Sequence, residues 1–285
     1  MQSLASRVWS HRSRWHVGDL AWNRHPRTAV AEWPTLLWER DGLTYAWGWA
    51  QLPSHLDLLV DPAWPELAGS VVDWFEELAS GQVRTCTVLE PEEHLVTALH
   101  ERGYSEARES PFWLHMSHAL ENLPPVRLPA GFTARSLRGE SEAPARARLH
   151  RAAWEDLPFA AGSRKVTSRV TEARYRDLLR VSPYRAELDF VIESPGGELA
   201  AYANVWYDET QRVGELEPVG TDPRHRRLGL AGAVCLHGLH ALRALGAREA
   251  IVYPRGDAEY PVPAQLYRRL GFAPYARTRT YVNRD

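Results

Sequence analysis

The segment from Val219 to Gly232 constrains the fold most strongly, because it runs from apolar strand residues through a basic turn into small residues at a helix start. Free backbone N–H groups and the positive end of the helix dipole at such a start favour an anion. Gly229 and Ala231 leave little bulk to keep phosphates away, and Arg226 and Arg227 add mobile positive charge. The segment predicts a strand, a turn and a helix that together hold a diphosphate.

The spacing of this segment resembles a family signature. Arg226-x-x-Gly229-x-Ala231 is similar to the acyl-CoA motif (Q/R-x-x-G-x-G/A) of the GNAT superfamily of N-acetyltransferases. Further along, Leu266-Tyr267-Arg-Arg-Leu-Gly271-Phe272 resembles the second landmark of that family, a short helix with a tyrosine that closes in Gly-Phe. The alternative is a solvated basic turn followed by an ordinary helix. The resemblance implies a donor, acetyl-CoA, and a reaction, acyl transfer to an amine.

Length and composition predict two domains. The chain has 285 residues, enough for two cores. The segment Glu121–Gly131 contains three prolines and a glycine between periodic segments, as expected of an extended linker. We therefore expect domains at residues 1–120 and 132–285, separated by a linker at 121–131.

Charge and cysteine content exclude several classes of protein. The net charge is −2, so no overall basic field favours nucleic acid. Cys86 and Cys235 form neither a disulfide framework nor a metal quartet, and a reducing cytoplasm is expected. Cys235, His237 and His240 are metal-ligand types, but Cys235 and His237 diverge around a helix, and no metal is expected. The N-terminus has no signal-peptide pattern, and the most apolar helix is interrupted by polar residues, so no membrane association is expected.

The predicted elements of the C-terminal half follow the order β-α-α-β-β-β-α-β-α-β, which is that of the resembled fold. Strands are expected at 132–137, 188–193, 199–207, 214–220, 249–253 and around 278–282. Helices are expected at 142–155, 171–180 and 228–245, and a short one around Tyr267. The helix from Leu228 shows a predicted buried face of Leu228, Ala231, Gly232, Cys235, Leu239 and Leu242, and Gly246 ends it.

The first half repeats part of this pattern. Asp61-Pro62, a helix from Leu67, a strand from Arg84 and a Gly103-Tyr104 pair parallel the second half. The fold class is therefore predicted as α/β (α+β), with two GNAT-like domains, each a mixed, mostly antiparallel sheet flanked by helices. Glu66 falls near the position of the phosphate-binding arginines, and Leu99 replaces the tyrosine. The first copy is thus expected to be non-catalytic. Tandem copies of this kind also resemble the mycothiol synthase family.

The resemblance implies roles for residues around the second motif. Acetyl-CoA would be bound by Val219, Gly220, Thr221, Arg226, Arg227, Leu228, Gly229, Leu230 and Ala231. Pro218 marks a strand edge or bulge, where the family's sheet opens to admit the pantetheine arm. An N–H of Val219 or Gly220 would donate to the thioester carbonyl. Glu217 is the candidate base, with Glu215 on the same face, and Tyr267 the candidate acid.

Several alternatives stay open at this stage. Tyr260 stands where relatives often have an asparagine that contacts the donor, which puts that contact in doubt. The acceptor is expected to be a small-molecule or peptide amine, lined by 154–163 and by Trp206, Tyr207 and Asp208. The protein is expected to be a monomer or homodimer. A different class of function is a non-catalytic acyl-CoA sensor that has kept the pocket and lost turnover.

Overall fold

The computed structural model describes residues 1–24, 33–155, 157, 168 and 170–284. The helices are α1 (Gln2–Val8), α2 (Val17–Arg24), α3 (Leu67–Leu78), α4 (Glu93–Glu101), α5 (Ala143–Glu155), α6 (Glu172–Leu178), α7 (Leu230–Ala244) and α8 (Val262–Arg269). The strands are β1 (Thr35–Arg40), β2 (Leu43–Gln51), β3 (His55–Val60), β4 (Arg84–Leu89), β5 (Ser105–Glu106), β6 (Leu114–His118), β7 (Thr133–Ser136), β8 (Asp189–Glu193), β9 (Leu199–Asp208), β10 (Val213–Thr221), β11 (Glu249–Val252) and β12 (Ala273–Asn283). No helix in the described ranges is both long and apolar enough to cross a bilayer.

The described residues form two compact units. The N-terminal unit takes its residues from Met1–His16, Ala29–His115 and Pro274–Asp285, and the C-terminal unit from Val17–Thr28 and Met116–Ala273. Each unit therefore combines segments that are far apart in sequence. The predicted division at 121–131 describes the two copies along the chain and stays a prediction.

The N-terminal unit contains a sheet in the order β1-β2-β3-β4-β12, with β5 beside β12. The pairs are antiparallel except for β3 and β4, which are parallel. In α3, Val71, Val72 and Phe75 recur at helical spacing and are buried against the sheet in one apolar cluster. This burial of one helix face on one sheet face accounts for the core of the unit.

The C-terminal unit contains a sheet in the order β6-β11-β10-β9-β8-β7, in which only β10 and β11 are parallel. Trp206 of β9 packs in one cluster with Ala21 of α2, Ala147 of α5 and Leu178 of α6. Gly238 of α7 lies instead against the face that carries Val205. Because neighbouring strand residues alternate between faces, α2, α5 and α6 cover one face and α7 the other.

Each unit is completed by a strand from the other half of the sequence. Strand β6, from the end of the first half, pairs with β11 through Met116 and Val252. Strand β12, at the end of the second half, pairs with β4. The predicted fold class of mixed, mostly antiparallel sheets flanked by helices is confirmed, whereas this exchange of strands has no counterpart in the sequence-based expectations.

The predicted start of the helix at Leu228 is wrong by two residues. Helix α7 begins at Leu230, after Gly229 in the left-handed conformation with φ 80°. Leu228, which was expected on the buried face, lies before the helix and is 45% exposed. Cys235, Leu239 and Leu242 are buried as predicted. Gly246, also at φ 80°, follows the last turn, and Ala247 N–H closes it on Leu242 O, as predicted for a glycine stop.

Candidate active site

Strands β10 and β11 separate at the point where the thioester was expected. Their parallel pairing runs from Val213 to Glu215, which is opposite Ile251, while β10 itself continues to Thr221. The edge of β10 beyond Glu215 therefore faces an opening in the sheet. This is the opening that the sequence predicted from Pro218.

A bulge in β10 lies beside this opening. Leu216 pairs with Val205 of β9 and Val219 pairs with Ala203, so that Glu217 and Pro218 together lie opposite the single residue Asn204, and β10 has one extra residue. The Trp206 indole Nε1–H donates to the Glu217 carbonyl oxygen at 2.6 Å and holds the bulge. The prediction that Pro218 marks a bulge is confirmed.

Two carboxyl groups of β10 lie on the face covered by α2 and α5. Glu215 is completely buried, and Glu217 is half-buried. The pKa of Glu215 is raised to about 8, mainly by burial and to a lesser extent by the negative charge of Glu217. The pKa of Glu217 is likewise raised to about 8, mainly by burial and to a lesser extent by the negative charge of Asp19. Shifts of this size, caused by desolvation together with a specific charged neighbour, are typical of functional sites.

Asp19 belongs to this group, and sequence reasoning missed it. It lies on α2, which belongs to the first half of the sequence but packs in the C-terminal unit. Its backbone N–H and its side chain hydrogen-bond to Glu215. No local signal marks it, because a helical aspartate nearly two hundred residues away from β10 is ordinary in sequence.

Tyr267 of α8 lies near enough to Glu217 for the charge of that carboxyl group to act on it. Its side chain is 7% exposed, and burial, then the nearby Cys235, Glu217, Tyr202 and Tyr260, raise its pKa well above the usual value. The phenol is therefore protonated at neutral pH and able to donate a proton. No acceptor for its hydroxyl group is found among the described residues. The two residues predicted to act in catalysis, Glu217 and Tyr267, are thus brought together.

The turn between β10 and α7 presents a row of backbone donors. Asp222 fixes its start, because Oδ1 accepts from Arg224 N–H at 2.8 Å and the Asp222 N–H donates to Ala200 O. Arg227 and Gly229 both have positive φ, 66° and 80°. The N–H groups from Arg227 to Gly232 have no hydrogen-bond acceptor in the described part of the chain. A left-handed residue between extended or helical ones turns successive N–H groups to one side, which makes an anion-binding concavity at the positive end of α7.

The side chains of the turn leave this row accessible. Arg226, Arg227, Leu228 and Gly229 are exposed, and nothing lies within 4 Å of the position a Cβ of Gly229 would take. Leu230 is buried and anchors the helix, whereas Ala231 is half-buried. The Arg226 guanidinium donates to the Ala153 carbonyl oxygen at the end of α5, at 3.1 Å. Arg226 therefore ties the turn to α5, in contrast to the mobile charge expected from the sequence.

The last residues of β10 run towards the turn. Val219, Gly220 and Thr221 are half-buried. A Cβ on Gly220 would lie 2.5 Å from the Tyr202 hydroxyl oxygen, so glycine is required for this close approach. The Tyr202 hydroxyl in turn accepts the Trp154 indole N–H at 3.1 Å. Tyr260, at the position of the asparagine in relatives, is half-buried between Arg226 and Tyr267, as the charge effects of both pairs indicate.

Of the residues proposed to line an acceptor, some are buried in the structure and others lie outside the described residues. Trp206, Tyr207 and Asp208 are at most 6% exposed, and the Asp208 carboxylate accepts from the N–H groups of the following turn. Asp208 therefore supports the β9–β10 turn, and the expected role of Tyr207 and Asp208 as an acceptor wall stays a prediction. Trp154 and Glu155 end α5 beside Tyr202, while the remainder of the predicted 154–163 segment, including Asp156 and Phe159, lies outside the described residues except for residue 157.

Residues 147–272 match the acetyltransferase (GNAT) family. The mycothiol acetyltransferase of Nocardia farcinica is 30% identical over 176 residues, which cover 60% of this chain and 55% of that protein. The chain thus matches about half the length of such curated relatives.

Solved structures agree in fold. A tandem GNAT protein from the clavulanic acid biosynthesis pathway superposes with a TM-score of 0.62 at 18% identity, covering 99% of this chain and 92% of the other. A GCN5-related N-acetyltransferase from Sphaerobacter thermophilus superposes with a TM-score of 0.61 at 19% identity, covering 87% and 80%. Residues 147–272 are therefore similar in sequence to the acetyltransferase (GNAT) family, and the chain is similar in fold to these solved structures.

Proposed function

We propose that the protein transfers an acetyl group from acetyl-CoA to a primary amine in one ternary complex. The observation that carries the proposal is the row of N–H groups from Arg227 to Gly232, next to an opening in the sheet that contains Glu217 and Tyr267. The anion site thus lies at the start of α7, and the opening lies beside β10. The two proton-transfer groups are Glu217 of β10 and Tyr267 of α8. The GNAT family match over 147–272 covers all three elements.

The diphosphate of acetyl-CoA fits the exposed turn. Donors from Leu228, Gly229, Leu230 and Ala231 would hold its oxygens, and the dipole of α7 adds a favourable field. The arm would follow Val219, Gly220 and Thr221 along the opening. Because this edge of β10 has no β11 partner beyond Glu215, its N–H groups are available to the thioester carbonyl.

The chemistry that the donor supplies is an activated acetyl thioester. Glu217 removes one proton from the acceptor ammonium, and the freed nitrogen attacks the carbonyl carbon. Tyr267 gives its proton to the departing sulfur and recovers one from the new amide nitrogen as the C–S bond breaks. The products are the amide, CoA thiol and one proton, which Glu217 releases to solvent.

The acceptor is proposed to be a small-molecule amine. The curated relatives are named mycothiol acetyltransferases, a name that describes the activity of those proteins. Their match supports a small polar acceptor over a peptide N-terminus. The carboxyl groups at the opening favour an acceptor that carries positive charge.

A CoA-release assay against a panel of amines tests this function. We expect thiol release with at least one amine, and Glu217→Gln to lower kcat by about 10²–10³-fold with acetyl-CoA affinity unchanged. Thiol release with no amine, despite tight acetyl-CoA binding in calorimetry, would instead establish the acyl-CoA sensor. Absence of both binding and release would contradict both functions.

A further inference from the structure

Helix α2 brings a carboxyl group from the N-terminal segment into the C-terminal unit. It packs on β9 and β10, and its approach depends on Gly18. A Cβ there would lie 2.6 Å from the Trp206 Cβ and would also strike the Glu215 carboxylate. The close contact places Asp19 beside Glu215, on the sheet face that carries Glu217.

Asp19 and Glu215 lie beside each other, close enough for Asp19 to influence the pKa of Glu215. Two neighbouring carboxyl groups interact favourably when one of them is protonated, and they then carry one negative charge between them. Asp19 is also near enough for its charge to act on Glu217. Two carboxyl groups of this kind hold a proton readily and release it when a cation arrives.

An independent observation is the side chain of Asn204. It is 1% exposed, and neither its Oδ1 nor its Nδ2 has a hydrogen-bond partner among the described residues. Asn204 lies between Tyr202 and Trp206 on the same face of β9, and the β10 bulge at Glu217 and Pro218 falls opposite it. A buried amide with no partner is rare, because a buried polar group without a hydrogen bond loses its solvation and gains nothing in return. The Asn204 amide thus lies opposite the part of β10 that contains Glu217, where the polar groups of a ligand could satisfy it.

The other charged and titratable groups on this face do not cancel the negative charge. Arg146 of α5 lies over the Tyr202 ring at 3.6 Å but is paired with the buried Asp189 of β8. Burial lowers the pKa of His150 of α5 well below its usual value, so this imidazole is neutral. Tyr202 of β9 and Tyr267 of α8 are protonated. The net charge around Glu217 is therefore negative.

We propose that Asp19, Glu215 and Asn204 form the subsite that receives the ammonium group of the acceptor before Glu217 removes its proton, so that the acceptor is an alkylamine that arrives as a cation. An ammonium group has three N–H donors and no acceptor. The carboxyl pair, Asn204 Oδ1 and the Glu217 carboxylate are three acceptors on one face. This subsite rests on the proposed function and adds a contribution from α2, which lies outside the segment matched to the family.

The test compares two probes of equal size on the CoA-bound protein. Propylamine is a cation near neutral pH, whereas its isostere O-ethylhydroxylamine is neutral. Melting temperature is measured against each probe at matched ionic strength, for the wild type and for Asp19→Asn, Asn204→Leu and Glu209→Gln. Glu209→Gln is the matched control, because Glu209 is an exposed carboxylate that pairs with Arg185 at 3.0 Å.

We expect propylamine to stabilise the wild type and Glu209→Gln, and O-ethylhydroxylamine to have little effect on either. Asp19→Asn and Asn204→Leu should each weaken propylamine binding by about 10-fold, as expected for one lost hydrogen bond to a charged group. Equal responses to both probes in the wild type, or propylamine binding unchanged in Asp19→Asn, would overturn the subsite. A failure of the proposed function has a different readout, because no amine would then cause release of CoA.

Discussion

At the scale of single residues, the proposed reaction depends on the environment of Glu217. Its pKa is raised to about 8, first by burial and then by the charge of Asp19. The base must be ionised to accept a proton, so kcat/KM should rise with pH and level off above about 8. Asp19→Asn removes a negative charge that disfavours the carboxylate, and the midpoint of this rise should move to lower pH.

The measurement is kcat/KM for one alkylamine over the pH range around this midpoint, for the wild type and Asp19→Asn, with Glu209→Gln as control. A profile that falls with rising pH would contradict Glu217 as the base. A midpoint that moves upward in Asp19→Asn would contradict the electrostatic link between the two carboxyl groups.

Tyr267 provides a second prediction at this scale. Because burial keeps its phenol protonated, Tyr267→Phe removes a proton donor but little volume. We expect kcat to fall by about 10²-fold and the affinity for acetyl-CoA to stay constant. Steady-state kinetics and calorimetry on the same preparation measure the two quantities. A loss of affinity with unchanged kcat would assign Tyr267 to donor binding instead.

The sequence identifies some of these residues and misses others for a physical reason. Glu217 and Tyr267 lie within or next to motifs whose local spacing is specific. Asp19 and Asn204 lie in no recognisable motif. Asp19 becomes part of the site only through the packing of α2, and Asn204 only through the register of β9 against β10. Contacts between distant segments are not encoded in local periodicity.

At the scale of elements, the start of α7 is the critical structure. Gly229 has φ 80°, a conformation that costs an alanine about 1–2 kcal/mol, and a Cβ there meets nothing within 4 Å. Gly229→Ala should therefore lower the free energy of unfolding by about 1 kcal/mol, and it should also weaken acetyl-CoA binding, because relaxing φ turns N–H groups away from the concavity.

Gly197 is the matched control for this substitution. It has φ 81° and equally open surroundings, but lies in the β8–β9 turn. Gly197→Ala should give a similar loss of stability in chemical denaturation without any change in acetyl-CoA affinity in calorimetry. Equal affinity in both variants would show that the conformation at Gly229 does not matter for the donor.

Most element types were predictable, because helical and strand periodicities are strong in this chain. The exceptions are boundaries such as the start of α7, where the left-handed Gly229 delays the helix to Leu230. The bulge at Glu217 was predictable because Pro218 cannot donate to a strand ladder. The pairing of β6 with β11 was not, because it joins residues more than a hundred positions apart.

At the scale of the whole molecule, the two halves of the sequence exchange strands. A fragment of residues 132–285 would lack α2 and β6, and its β12 would lack β4. It would expose the apolar residues that Leu20 and Ala21 cover, as well as the edge of β11. We expect this fragment to be unfolded or aggregated in circular dichroism and thermal melts.

The full chain cleaved at a protease site placed within 121–131 serves as control. It retains every strand, and it should melt near the temperature of the intact protein. A fragment 132–285 that melts cooperatively at that temperature would contradict the role of the exchanged strands. The repeat was recognisable in the sequence, whereas the linker at 121–131 stays a prediction and the exchange of strands follows only from tertiary pairing.

The most direct measurement of the central claim is a structure of the protein saturated with acetyl-CoA. We expect diphosphate oxygens within about 2.7–3.2 Å of the backbone nitrogens between Leu228 and Ala231, with the thioester at the β10–β11 opening beside Glu217. A turn left empty at a concentration that saturates the protein in calorimetry, or a diphosphate bound elsewhere, would contradict this claim.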